Sequence, residues 1–148
     1  MRQLRPPFVL VVGLALAGVM AGCAERKKIA ECNALISVIN TGVDKIQQGA
    51  RVAPDAGLGG KDLRDMASAM DQIADQAGKL QLTVAELGQF TKDYQTMARE
   101  VAAAARDLAT AYEKVDDEQM KKAQARMEKA VQREDPLVDS INKFCRVP

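Results

Sequence analysis

Chemistry in this 148-residue chain falls to three cysteines, seven methionines and a scattering of carboxylates, because the sequence holds no histidine and no tryptophan. The missing histidine removes the commonest general base and transition-metal ligand, and with them every Cys-His or Ser-His nucleophile pair. Haem attachment through Cys-x-x-Cys-His is impossible, the Glu-x-x-His of carboxylate-bridged metal bundles is absent, and no P-loop or Gly-x-Gly-x-x-Gly occurs. Five methionines, Met66, Met70, Met97, Met120 and Met127, recur at helical spacing. A copper site would need them in a tight cluster, whereas core packing needs only that spacing. Asp62, Asp65, Asp71 and Asp75 are spread over helical faces instead of alternating along one loop, so a solvated charged surface is expected and calcium is not. Neither an enzyme nor a bound cofactor is expected.

The first cysteine belongs to a different pattern. Arg2 and Arg5 precede an almost wholly apolar stretch, Phe8 to Val19, and the small residues Ala21 and Gly22 lead to Cys23. That is the layout of an export signal, and it is short of the roughly 20 residues that cross a bilayer as a helix. With Met20-Ala21-Gly22-Cys23 the segment resembles the lipobox of bacterial lipoproteins, with Met20 where leucine is usual. The resemblance covers residues 1–23. It implies that 1–22 is a signal peptide, that Cys23 is acylated, and that the mature domain is 23–148. In that family a residue other than aspartate after the cysteine, here Ala24, goes with the outer membrane, and its periplasmic side is expected over the cell surface. Arg26, Lys27 and Lys28 follow, either as contacts to anionic headgroups or as a solvated helical turn.

Removing residues 1–22 takes away Arg2 and Arg5 and no acid, so the remainder is close to neutral. Nucleic-acid binding, which needs a basic excess, is not expected. Alanine, leucine, methionine, glutamine and charged residues dominate, no β-branched alternation appears, and the length suits one domain. The expected class is all-α.

Punctuation divides the chain into four helices. The first should run from about 24 to 50 with the stripe Ile29, Cys32, Ile36, Ile39, Val43, Ile46 and Ala50, and a weak point at Gly42. Pro54, Gly57, Gly59 and Gly60 mark a loop over 51–60. The second carries Leu63, Met66, Met70, Ile73, Ala77 and Leu80. Thr83-Val84-Ala85-Glu86 has capping-box spacing, and Leu82 with Leu87 suits a hydrophobic staple, so a turn is expected at 78–82. The third helix carries Leu87, Phe90, Tyr94, Met97, Val101, Ala104 and Leu108 and should end near Val115. Asp116 or Asp117 caps the fourth, which carries Met120, Ala123, Met127, Ala130, Leu137, Ile141 and Phe144. Asp135-Pro136 should kink it, turning Glu134 outwards and moving its seam to Val131 and Val138.

Short connections make neighbours antiparallel, so the expected architecture is an up-down-up-down four-helix bundle. Its first helix begins where its last one ends. Acylation of Cys23 leaves an even pair of thiols in an oxidising compartment, and this topology brings Cys32 and Cys145 to one end. A structural disulfide is expected there.

With catalysis set aside, the chain offers surfaces and an interior. The run Ala102 to Ala105, flanked by Tyr94, Val101 and Tyr112, suits either close helix packing or a shallow groove. Tyr94, Val101, Ala104, Ala105 and Tyr112 are the candidate partner or ligand surface. The expected function is a lipid-anchored interaction or structural module with a protein partner in the envelope; the alternative is a carrier of a lipid or other apolar compound.

Overall fold

A computed structural model describes the backbone over residues 19–51 and 59–146, and side chains over 24–44 and 59–146. The described residues are almost wholly helical and include no strand. Five helices follow one another: α1 Val19–Arg51, α2 Gly60–Gly78, α3 Ala85–Lys114, α4 Asp117–Val131 and α5 Glu134–Cys145. Only the turn Gln132-Arg133 separates α4 from α5, so four rods account for the described residues. Residues 52–58 of the expected loop and residues 1–18 of the segment read as a signal peptide lie outside the described residues, as do the side chains of Ile46 and Ala50.

Helix starts follow from local hydrogen bonding. The amide of Gly59 donates to Asp62 Oδ2 at 3.1 Å as α2 begins, which places an acid in a first turn that favours it. Asp116 Oδ1 accepts from the Gln119 amide at 3.0 Å and caps α4. Pro136 sits in the first turn of α5, where its missing N–H would have had no intrahelical partner. The restart thus falls at Gln132-Arg133, just ahead of the proline.

Helix α3 is the hub, with α2 on one flank and α4 on another. Its alanines at 98, 102, 104, 105, 109 and 111 are all buried, and their small side chains let neighbouring backbones approach. The largest core cluster joins Cys32, Leu35 and Ile39 of α1 with Met70 and Ile73 of α2, Tyr94 and Met97 of α3, and Ile141 of α5. A smaller one joins Leu63, Leu108, Ala109 and Ala123. Met70 and Met97 are buried, and Met66, Met120 and Met127 pack against these clusters half-buried.

Two seams differ from the sequence expectation. On α1 the buried line is Cys32, Leu35, Ile39 and Gly42, with Ile36 and Val43 only half-buried. Both lines step by three and four and share Cys32 and Ile39, so spacing alone does not choose between them. Gly42 chooses. A Cβ there would collide with Cγ1 and Cδ1 of the buried Ile73, so glycine lets α1 approach α2. On the last rod, the seam stays at Ala130 and Ile141; Val131 is 45% exposed and Glu134 is half-buried instead of turned outwards. The α4–α5 turn absorbs the phase change, so no shift of the seam to Val131 and Val138 is needed.

Val115 ends α3 in the left-handed region, at φ 53°, and is 80% exposed. A β-branched residue is poorly suited to that conformation, where glycine is the usual choice. Val115→Gly should raise stability by about 1 kcal/mol, the left-handed cost of roughly 1–2 less glycine's extra chain entropy. Urea unfolding midpoints would register this. A destabilised variant would mean that the Val115 side chain contributes packing that outweighs its strain.

Candidate functional site

Among the described residues, the hydrogen bonds that span the greatest sequence separation meet at Glu31. This acid lies one residue before Cys32, on the inward side of α1, and is only 7% exposed. Glu31 Oε2 accepts the amides of Thr83 and Val84, each at 2.9 Å, and Glu31 Oε1 accepts the Thr83 hydroxyl at 2.6 Å. Val84 is the N-cap residue of α3 and makes no side-chain capping bond. The capping box expected from Thr83 and Glu86 is therefore not formed. Thr83 donates outwards to a carboxylate on another helix, and a charged acceptor makes a stronger bond than a neutral one. The N-terminal end of α3 also favours a nearby negative charge.

These bonds set the acid's titration. The Thr83 hydroxyl, then the Val84 amide, hold the Glu31 carboxyl below its ordinary value of 4.5; burial opposes them, and the Thr83 amide and Lys27 add smaller pulls downwards.

Covalent and aromatic contacts lie alongside. The sulfurs of Cys32 and Cys145 are at disulfide distance, with Cα atoms 5.7 Å apart across a separation of 113 residues. On the chain-entropy account, closing so long a loop stabilises a fold by about 4–5 kcal/mol. Lys28 Nζ sits 4.3 Å from the centre of the Phe144 ring, and the Phe90 and Phe144 rings meet edge-on with centroids 5.8 Å apart. Within five residues, α1 is thus joined to the start of α3 and to the end of α5. Of the three cations after Cys23, Lys28 is occupied by Phe144, while Arg26 and Lys27 are exposed.

The candidate surface built on the alanine run is largely core. Tyr94 is 1% exposed, Val101, Ala104 and Ala105 are buried, and of those five residues Tyr112 alone faces solvent, at 54%. The physical reason is α3's central position: α2 and α4 cover its alanine face, so close packing replaces the groove. Burial, with the Glu134 charge second, pushes the Tyr94 phenol up to about 12. Burial and the neighbouring Asp135 likewise raise Glu134. Its charged form is penalised in the fold, and falling pH relieves that penalty, the opposite sign to Glu31.

The four aspartates of α2 have local roles. Asp62 serves the helix start, Asp65 pairs with Lys61 at 2.5 Å, Asp71 pairs with Arg106 and Asp75 with Arg99 at 3.3 Å. A cleft of about 480 Å³ opens between α3 and α4, lined by Asp107, Thr110, Lys114, Asp116, Lys122 and Arg126 among others. It is polar, and two of its charges, Asp107 and Arg126, already pair at 2.5 Å. Among the described residues, no helix is long and apolar enough to cross a membrane. No protein-family model, curated protein or solved structure matches this chain.

A depressed carboxyl contributes stability that is present above its unfolded value and lost as pH falls through its folded one. Glu31→Gln should therefore be less stable than wild type at neutral pH, and the gap should narrow as pH drops below about 4.5. Urea titrations at a series of pH values would show it. A gap that stays constant from about pH 6 to pH 3 would mean that the Glu31 charge is not what binds the Thr83 and Val84 amides.

Proposed function

We propose that the protein is anchored in a bacterial cell envelope by acylation of Cys23 and works by binding, as a helical interaction or structural module. The observation that carries this reading is the continuity of α1. Cys23 lies on the same unbroken helix, Val19–Arg51, whose residues Lys28, Glu31 and Cys32 are joined to α3 and α5. An acyl group at Cys23 then holds the whole folded body at the membrane and raises its local concentration for a partner. The lipobox-like Met20-Ala21-Gly22-Cys23 supplies the reason for acylation, and Ala24 the outer-membrane assignment on its periplasmic side.

The architecture we assign is the up-down-up-down four-helix bundle, with α4 and α5 forming the fourth rod. Reversed pairing orders support it. Arg64, Asp71 and Asp75 along α2 meet Glu113, Arg106 and Arg99 of α3, and Glu100 and Asp107 of α3 meet Arg133 and Arg126. Each rising series meets a falling one, as antiparallel neighbours require.

A partner-binding reading fits this surface better than a carrier. The residues along α3 that would have lined an apolar cavity are packed core, and the α3–α4 cleft is lined by charges. Among the described residues, the exposed large apolar side chains beside α3's end are Tyr112 and Val115, which become the first positions to alter in a search for the partner contact.

Metabolic labelling with a clickable fatty acid tests the anchor. Wild-type protein should carry the label and the Cys23→Ser chain should not; equal labelling of both would remove the anchoring claim.

A further inference from the structure

The junction that holds α1 also gathers positive charge around the place where the chain would meet a membrane. Lys28 lies against Phe144, so Cys23 stands five residues beyond the level of that contact on the same helix. At 1.5 Å per residue this is about 7.5 Å, and even a fully extended chain spans no more than about 18 Å. The shorter figure lies inside the Debye length of about 8 Å at physiological salt. Besides Lys28, five cations occupy this region. Arg26 and Lys27 are exposed on α1, Lys143 and Arg146 flank the Phe144-Cys145 contacts, and Lys79 lies in the turn just before Thr83. Glu25 and Glu86 are the exposed acids nearest those same contacts along the chain, and Glu31 is already bound by Thr83 and Val84. The excess is positive on a chain that is nearly neutral as a whole.

We propose that this basic face, formed jointly by the start of α1, the α2–α3 turn and the end of α5, lies flat on anionic lipid headgroups. It rests on acylation at Cys23 and goes further by fixing the orientation of the body, with the α3–α4 connection at Val115 and Asp116 directed away from the bilayer. An acyl chain alone sets a distance but no orientation. Charges within a Debye length of a negative surface are attracted individually, and cations contributed by three separate segments resist tilting in more than one direction.

The absence of tryptophan provides a clean probe. Gln81→Trp places a donor in the exposed α2–α3 turn, and Glu118→Trp places one on exposed α4 beyond the α3–α4 connection. Each mature acylated chain is reconstituted into vesicles of phosphatidylcholine, or of phosphatidylcholine with phosphatidylglycerol, carrying a dansyl-headgroup acceptor. Energy transfer should be stronger from Gln81→Trp than from Glu118→Trp and should rise severalfold with phosphatidylglycerol. It should fall back in about 1 M salt, where the Debye length is near 3 Å. Adding Arg26→Gln, Lys27→Gln, Lys143→Gln and Arg146→Gln together should abolish the phosphatidylglycerol effect and leave vesicle flotation intact. Flotation with equal transfer in both lipids, or an unchanged phosphatidylglycerol effect in the neutralised chain, would overturn the basic face while leaving the anchor standing. Failure to float, with no acyl mass on the Cys23 peptide, would remove the anchor and the proposal together.

Discussion

A carboxylate taken out of water must find hydrogen-bond donors, and this constraint at Glu31 organises much of the molecule. Its oxygens take two backbone amides and one hydroxyl at the start of α3, so the residue that needs donors and the segment that has spare ones satisfy each other. The match fixes where α3 begins and how α1 is rotated. With Glu31 turned inwards, Cys32 and Leu35 follow it into the core, and Cys32 meets Cys145. Lys28, one turn earlier, is left at the rim over Phe144.

Around that junction the packing is simple. α3 touches α2 and α4 through small side chains, and the covered face is closed by methyl groups instead of being left as a groove. Gly42 performs the same service between α1 and α2, where even one added carbon would meet Ile73. Ion pairs along α2–α3 and α3–α4 are mostly half-exposed, and each such pair contributes little on its own. Their value lies in register. Arg64 opposite Glu113 and Asp71 opposite Arg106 disfavour a slide of α2 along α3 that would bring like charges together.

What could be read from the sequence was whatever local spacing controls. The helical class, the break before α3, the end of α3 near Val115, a cap at Asp116 or Asp117 (it is Asp116) and the partnership of Cys32 with Cys145 all rest on short motifs or element order. What could not be read depends on which neighbour a side chain meets. Thr83 and Glu86 have the spacing of a reciprocal cap, but spacing does not reveal a second carboxylate arriving from residue 31. Leu35 and Ile36 are equally apolar, and only the glycine at 42, which by helix propensity is a weak point, marks the face that must come close. The alanine run was legible as close packing or groove, and the decision fell to α2 and α4 covering it, which leaves Tyr112 outside and Tyr94 inside.

The fold depends on α1 reaching across to the entrance of α3, and hydrogen exchange at two amides reads that contact directly. In the wild-type protein above pH 4.5 the Thr83 and Val84 amides should exchange slowly, although they precede the first residue of α3 and make no helical bond of their own. In Glu31→Ala both should become fast, while amides in the middle of α3, such as Val101, keep their protection. Fast exchange of Thr83 and Val84 in the wild type, or protection unchanged by the loss of Glu31, would contradict the central claim.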